Sequence, residues 1–513
     1  GVERTRSKHF ILLTAASHTT SEVWFLPAGD VRGEFALIEE RKDNHEYYVE
    51  HHGGLNSKKT DEGKTDERDG GVFFIRSNAA GRTFELMEVS TKEPGRENWR
   101  TVIANRPDVM LSGAEAFGSH LVLDEREDGL PYLRIVDLED RRDDLLAKSH
   151  RIEFTEPAYN AGLGMNPEFV ADAVRFQYES FVTPRSVFDY NVRTRQRTLL
   201  KRQPVLGGYD ETKYVSERIH AVASDGTRVP ISLVYRRDGG QIRRSAAEFA
   251  DGNGNVGNRG ARNEVEGNEA DELQGGPAPM LLYGYGSYGI SVPVTFSSNR
   301  LSTLDRGVIF AIAHIRGGGE LGKPWHDAGR MRDKMNTFTD FIACAEHLIA
   351  KRYTTPDKLI IEGGSAGGLL IGAVVNLRPN LFHAVITHVP FVDVLNTMLD
   401  ASLPLTVGEY EEWGNPENED DYWTMRAYCP YTNVTARAYP AMLVKTGLND
   451  SQVMYWEPAK YVAKLRALKT DTNTLIFKIN MGAGHGGASG RYDYLREIAV
   501  DYAFILMQSG VNE

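Results

Sequence analysis

Residues 359–375 read LIIEGGSAGGLLIGAVV, and this stretch decides the fold of the second half of the chain. It contains Gly-x-Ser-x-Gly at 363–367, between an apolar run typical of a strand and one typical of a helix. A strand that turns directly into a helix leaves no room for large side chains beside the serine, and the turn strains its backbone. The stretch therefore predicts that Ser365 is exposed on a tight turn, as a nucleophile requires. Alone the motif is weak, because 50 of 513 residues are glycine.

An aspartate and a histidine follow two predicted strands downstream. Asp450 comes after the apolar run at 443–447, and His485 lies among glycines after the β-rich run at 475–479. Taken singly, neither residue requires a catalytic role: Asp450 is explained equally well as a turn residue, and His485 as one of 14 histidines that lies in a flexible loop. The order Ser, Asp, His is that of the α/β-hydrolase fold, whose doubly wound, mostly parallel sheet brings such loops to one edge. The imidazole would take the serine proton, and the carboxylate would orient the imidazole.

A tetrahedral intermediate on Ser365 needs two hydrogen-bond donors. The backbone N–H of Ala366, the residue after the nucleophile, is one expected donor. No His-Gly-Gly-Gly run precedes the motif to supply the other. Residues 281–289 read LLYGYGSYG in its place, so a tyrosine hydroxyl is the predicted second donor.

Four motifs together resemble the prolyl oligopeptidase family of serine peptidases. They are YGYG at 283–286, RGGGE at 316–320, GGSAGG at 363–368 and HGG at 485–487. Two further stretches, 389–394 and 408–416, resemble the oligopeptidase B group of that family, which cleaves after Arg and Lys. The resemblance covers nearly the whole chain and is strongest from about residue 212. It implies a catalytic triad of Ser365, Asp450 and His485, and an oxyanion hole of the Tyr285 hydroxyl and the Ala366 N–H.

Substrate preference has a physical argument beside the resemblance. A carboxylate fixed in a partly desolvated pocket pairs bidentately with guanidinium, and an aromatic ring can stack on the guanidinium plane. The resemblance implies that Glu409 and Phe391 form the primary pocket and that Glu411 adds to its acidic surroundings. Bacterial members of the group carry two aspartates where this chain has Ser291–Thr295, so a dibasic preference is not predicted. Gln452, in place of an arginine of the prolyl-specific enzymes, argues against a proline pocket.

Composition limits the classes of function. The net charge of −12 disfavours nucleic acid as a partner and suits short basic peptides as substrates. No run of about 18 apolar residues occurs, so no membrane partner is expected. Two cysteines indicate a reducing, cytoplasmic setting. The absence of CxxC and HExxH motifs gives no support for a metal, and no cofactor is expected.

The first part of the chain shows repeated strand patterns with a period of about 50 to 60 residues, which is typical of propeller blades. We therefore predict an all-β propeller domain over residues 1–208, with about four blades, followed by the α/β-hydrolase domain over 209–513. A β-sandwich of short strands is the alternative. Residues 237–276 are rich in Gly, Asn and Glu and predict a disordered insertion. By comparison with the family, about three blades and an N-terminal segment are expected to be missing, so the propeller is incomplete.

The sequence thus predicts a serine endopeptidase that cleaves short peptides after Arg or Lys through an acyl-enzyme. An acyl-peptide hydrolase or esterase of the same fold would use the same triad without an acidic pocket. A third hypothesis is a non-catalytic propeller protein that binds a partner, if the missing blades abolish activity. The sequence does not indicate an oligomeric state.

Overall fold

The computed structural model describes residues 1–30, 32–53, 71–138, 145–237 and 276–511. In the first part of these residues, four antiparallel sheets of four strands follow one another along the chain. The first two sheets contain β1 (Val2–Arg4), β2 (Phe10–Ala16), β3 (Ser21–Pro27), β4 (Ala36–Glu39), β5 (Tyr47–His52), β6 (Val72–Ser77), β7 (Glu85–Ser90) and β8 (Arg100–Ile103). The next two contain β9 (Val109–Ala116), β10 (His120–Glu127), β11 (Leu130–Asp137), β12 (Ser149–Arg151), β13 (Tyr159–Leu163), β14 (Ala173–Ser180), β15 (Ser186–Asn191) and β16 (Arg197–Arg202).

Successive sheets pack on each other through apolar side chains. Phe74 of the second sheet is buried with Leu121 and Leu123 of the third, and Val122 of the third is buried with Phe176 of the fourth. The second and third sheets thus have a neighbouring sheet on both faces, which is how propeller blades pack, whereas a sandwich has only two facing sheets. The arrangement supports a propeller over the sandwich alternative.

The second part of the chain forms one eight-stranded sheet in the order β17-β18-β20-β19-β21-β22-β23-β24. Its strands are β17 (Tyr214–Val222), β18 (Arg228–Arg236), β19 (Met280–Tyr283), β20 (Ile309–Ala313), β21 (Leu359–Gly364), β22 (Ala384–His388), β23 (Ala441–Gly447) and β24 (Leu475–Asn480). From β20 to β24 all neighbours are parallel, while β17, β18 and β20 pair antiparallel. The carboxyl ends of the parallel strands therefore meet at one edge, where loops carry function in such sheets.

Helices cover both faces of this sheet. They are α1 (Leu301–Leu304), α2 (Lys323–Asp327), α3 (Met335–Ala350), α4 (Ala366–Leu377), α5 (Val394–Met398), α6 (Tyr410–Trp413), α7 (Glu419–Tyr428), α8 (Trp456–Leu468) and α9 (Arg491–Ser509). On β21, Leu359 and Ile361 join the core that contains α3 and α4, whereas Ile360 joins the core that contains Phe504 of α9. A strand buried on both faces reads as a continuous apolar run, which explains the residues before Ser365. Within the described residues, no helix is both long and apolar enough to span a bilayer.

Ion pairs join the propeller to the second domain. Two come from the short helix α2: Lys323 Nζ lies 3.1 Å from Glu46, and Asp327 lies 2.9 Å from Arg82. These contacts place the propeller beside the edge of the sheet that carries Ser365. The predicted domain boundary at 208/209 falls between β16 and β17. Of the predicted insertion at 237–276, residues 238–275 lie outside the described residues.

Candidate active site

Ser365 occupies the turn between β21 and α4. Its φ is 56° and its ψ −119°, a strained conformation for a residue with a side chain. Backbone hydrogen bonds hold the turn, because Ser365 N–H donates to His388 O at 2.8 Å and Phe391 N–H donates to Ser365 O at 3.0 Å. A Cβ on Gly363 would lie 2.3 Å from Gly367 O, so glycine is required where strand and helix approach this closely.

Asp450 and His485 meet beyond the ends of β23 and β24. His485 Nδ1 lies 2.8 Å from Asp450 Oδ2, and Asp450 Oδ1 accepts the N–H groups of Gln452 and Val453 at 2.9 Å each. The Asp450 side chain is fully buried, whereas that of His485 is 19% exposed. A carboxylate with its acceptors occupied in this way holds the imidazole with Nδ1 protonated, which leaves Nε2 to act as a base.

The loop that carries His485 is tied to its surroundings at both ends. Asn480, before the loop, donates from Nδ2 to Glu497 of α9 at 2.6 Å, and Ala488, after it, donates from its N–H to the same carboxylate at 3.2 Å. Among the described residues no hydrogen bond joins Ser365 to His485. Catalytic hydrogen bonds are often long in unliganded sites and shorten when substrate binds.

A cavity of about 300 Å³ opens beside Ser365 and contains both predicted oxyanion donors. Ala366 is the first residue of α4, so its N–H is one of the donors that a helix leaves unpaired. Burial, followed by repulsion from Glu412 and Glu409, raises the pKa of Tyr285 to about 12. Its hydroxyl therefore stays protonated at neutral pH. This hydroxyl has no hydrogen-bond partner within the described residues, so it remains available as a donor.

The same cavity is bounded by Glu409 and Phe391, which the sequence analysis assigned to the primary pocket. Glu409 Oε2 accepts the Trp413 indole N–H at 2.7 Å and the Tyr288 hydroxyl at 3.0 Å. Burial and the nearby Glu412 raise the Glu409 pKa, while these two hydrogen bonds oppose the rise. Phe391 packs on Trp413 with ring centroids 5.4 Å apart and is 5% exposed. An aromatic wall and a fixed carboxylate thus share one pocket with Ser365.

Glu411 lies elsewhere. It borders a second cavity of about 270 Å³ between the propeller and the second domain, together with Arg126 and His18 of the propeller. Glu409 and Tyr288 border both cavities, so they separate the two. The Glu411 carboxylate has no hydrogen bond or ion pair to any described residue.

The buried member of the acidic cluster is Glu412, to which the sequence analysis gave no role. Its Oε2 lies 2.7 Å from His326 Nε2, and its Oε1 accepts the Tyr288 N–H at 2.9 Å. Burial alone would raise the Glu412 pKa, but the hydrogen bond with His326 and the charge of Lys334 lower it. Glu412 is therefore an ionised support beneath the pocket.

Glu457 of α8 was also missed, although it borders the cavity beside Ser365. It is 1% exposed; its carboxylate accepts the Asp393 N–H at 3.0 Å and the Thr397 hydroxyl at 2.7 Å. No local signal marked it, because a glutamate in a helix is ordinarily a solvated surface residue.

Two family models match the chain. The model described as prolyl oligopeptidase, N-terminal beta-propeller domain, matches residues 1–203, and the model of the prolyl oligopeptidase family matches residues 294–512. The predicted combination of propeller and α/β-hydrolase is confirmed.

Relatives agree with this assignment. Dipeptidyl aminopeptidase BI of Pseudoxanthomonas mexicana is 42% identical over all of this chain, and Protease 2 of Moraxella lacunata is 38% identical. The chain spans 63% and 65% of the length of these two proteins.

Solved structures extend the similarity. Oligopeptidase B from Trypanosoma brucei, with covalently bound antipain, matches all of this chain with a TM-score of 0.84 and 37% identity. The enzyme from Leishmania major matches with the same TM-score and 34% identity. This chain covers 66% and 65% of those two chains. The two domain matches and the similarity along the whole chain show that this protein belongs to the prolyl oligopeptidase family.

Proposed function

We propose that this chain is a serine endopeptidase that cleaves short, unstructured peptides after Arg or Lys. The observation that carries the proposal is one cavity lined by Ser365, Glu409 and Tyr285, whose hydroxyl has no hydrogen-bond partner among the described residues. A nucleophile, an oxyanion donor and a fixed counter-ion for a cationic side chain are the groups that such a reaction requires.

The mechanism follows from these positions. His485 Nε2 takes the Ser365 proton as Oγ attacks the scissile carbonyl carbon, and Asp450 stabilises the imidazolium that forms. The carbonyl oxygen becomes an oxyanion that receives hydrogen bonds from the Tyr285 hydroxyl and the Ala366 N–H. The imidazolium returns its proton to the leaving amine, the C–N bond breaks, and an acyl-enzyme remains. Water then attacks the ester with His485 again as base, which releases the peptide acid and restores Ser365.

Glu409 selects the residue before the scissile bond. Its Oε2 is held by Trp413 and Tyr288, so the carboxylate needs little reorganisation when a guanidinium or ammonium enters. Phe391 offers its ring to the guanidinium plane. A cytoplasmic location is part of the proposal, supported by the buried, unbridged cysteines Cys344 and Cys429.

The test compares kcat/KM for blocked peptide amides that differ only in the residue before the scissile bond. Arg and Lys amides should exceed the Phe and Pro amides by about 10²-fold or more, because the neutral side chains leave a partly buried carboxylate without a cationic partner. Equal values across the four substrates would reject the charge preference. Labelling of Ser365 by a fluorophosphonate, checked by peptide mapping, would show separately that the nucleophile is reactive.

A second candidate is a dipeptidyl aminopeptidase, the activity in the printed name of the relative from P. mexicana. Glu411 favours it, because an unpaired carboxylate in the adjoining cavity can receive the free α-ammonium of a peptide that extends two residues from the cut. One tetrapeptide with free and with acetylated N-termini distinguishes the candidates. The endopeptidase accepts both, the dipeptidyl aminopeptidase requires the free terminus, and an acyl-peptide hydrolase prefers the acetylated one.

A further inference from the structure

The buried side chain of Lys334 contacts the segment 286–287, which directly follows the predicted oxyanion donor Tyr285. Lys334 immediately precedes α3 and is 1% exposed. Burial disfavours an ammonium group, and the positive end of a helix dipole disfavours it further. Two unfavourable effects at one position indicate that its contacts serve a purpose other than stability.

The contacts of the Lys334 ammonium group are with the segment 286–287 and with Glu412 and Trp413 beside that segment. Lys334 Nζ donates to Gly286 O at 2.7 Å and to Ser287 Oγ at 2.8 Å. It also lies 3.9 Å from Glu412 Oε1 and 4.8 Å from the centroid of the Trp413 ring. Burial lowers the Lys334 pKa to about 8, and Glu412 opposes that shift.

Lys334 and Glu412 together hold three consecutive residues. Lys334 binds Gly286 and Ser287, and Glu412 accepts the N–H of Tyr288. Gly286 has a φ of +70°, which glycine adopts without strain but does not enforce, because its backbone is free to take many other conformations; outside contacts therefore fix this turn. Tyr285 directly precedes it.

The Tyr285 side chain has no comparable anchor at its far end. Since its hydroxyl has no hydrogen-bond partner in the described part of the chain, its direction depends on the backbone that carries it. An oxyanion donor must keep its position before charge develops, because reorganisation during the reaction reduces its effect.

We propose that Lys334 is the positioning residue for the oxyanion tyrosine, and that its hydrogen bond to Gly286 O keeps the Tyr285 hydroxyl directed at the developing oxyanion. The proposal rests on the proposed serine peptidase activity. It is independent of which side chain precedes the scissile bond.

A double-mutant cycle tests this, with kcat and KM measured for matched Arg and Phe amides. Lys334→Met roughly keeps the length and volume of the side chain but removes the donor, and among the described residues it leaves Gly286 O only the Thr337 hydroxyl at 3.5 Å. We expect kcat to fall about 10- to 10²-fold with KM nearly unchanged, and equally for both substrates. In the Tyr285→Phe background the same change should cost less than about 3-fold, because the hydroxyl that it positions is already absent.

Lys464→Met is the matched control. Lys464 Nζ also donates to two oxygens, the backbone carbonyls of Tyr431 and Thr432, and lies 4.8 Å from the centroid of the Tyr431 ring. It is on α8 and does not border the cavity beside Ser365. Its kcat should match the wild type. If Lys334→Met does not fold, Ser287→Ala removes one Nζ acceptor and keeps the lysine. It should lower kcat by a smaller factor that also disappears in the Tyr285→Phe background.

Losses that multiply in the double variant, or an unchanged kcat in the single variant, would overturn the positioning role. Failure of the proposed specificity has a different signature, because it would appear in the wild type as equal cleavage of the Arg and Phe amides. Failure of the proposed activity would appear as no cleavage of either amide by the wild type.

Discussion

The hydroxyl of Tyr288 donates a hydrogen bond of 3.0 Å to Glu409, so the segment that carries the proposed oxyanion donor Tyr285 is joined directly to the carboxylate of the proposed specificity pocket. Tyr288 is three residues from Tyr285, and its own N–H is held by Glu412. The proposed specificity pocket and the proposed oxyanion donor therefore share one support, Tyr288.

Ser365→Ala should abolish turnover and leave peptide binding intact, because only the nucleophilic oxygen is removed. We expect kcat to fall about 10⁴-fold or more, with the oxyanion hole supplying the remaining activity. Calorimetric binding of an arginyl peptide should give a Kd near the wild-type KM. Hydrolysis at the wild-type rate would exclude Ser365 as the nucleophile.

Tyr285→Phe should lower kcat by about 10²- to 10³-fold with little change in KM, since its hydroxyl is required where charge develops. Steady-state kinetics on one arginyl amide measure the effect. A raised KM with intact kcat would mean that Tyr285 binds substrate or packs in the pocket, and that the second donor lies elsewhere.

Glu409→Gln should lower kcat/KM for an Arg amide by about 10²- to 10³-fold, because a cation in a partly desolvated pocket would lose its counter-ion. A Lys amide should lose as much from the missing charge and less from the lost bidentate geometry. The Phe amide should change little. Glu411→Gln is the control, since it borders the other cavity and should have a smaller effect on a blocked substrate. Equal losses on Arg, Lys and Phe would show that Glu409 supports the fold instead of recognising charge.

Glu457→Gln should stabilise the protein at alkaline pH. Burial, with repulsion from Asp393 as a smaller contribution, raises the Glu457 pKa from 4.5 to about 7. Because the folded pKa exceeds the unfolded one, the stability linked to this proton is fully present below about pH 4.5 and is lost as the pH rises through 7. Glutamine does not titrate, and it can accept the Asp393 N–H and donate to the Thr397 hydroxyl.

We expect the Glu457→Gln variant to exceed the wild type by about 1 to 3 kcal/mol at pH 8, and to differ little at pH 5. Urea denaturation at the two pH values measures the difference in unfolding free energy. A stability difference that is the same at both pH values would contradict the raised pKa.

The sequence by itself determined the second domain and the order of its chemical groups. Glycine is required at 363 because strand and helix approach each other there, and at 367 because a Cβ would lie 2.8 Å from Gly284 O. The position of Ser365 between them was predictable from the local sequence pattern. Asp450 and His485 each follow a strand, and parallel strands bring their ends to one edge. The pairing of these two side chains was predictable for the same reason.

Only the tertiary structure decided which acidic residues share the cavity with Ser365. Glu409, Glu411 and Glu412 are nearly adjacent in sequence, yet only Glu409 borders the cavity beside Ser365. Glu411 and Glu412 border the interdomain cavity, where Glu411 is exposed and Glu412 is buried and accepts the Tyr288 N–H. Lys334 and Glu457 carry no local signal, because their partners are distant along the chain. Burial and hydrogen-bond partners arise from packing between elements, and residue type at a single position does not encode them.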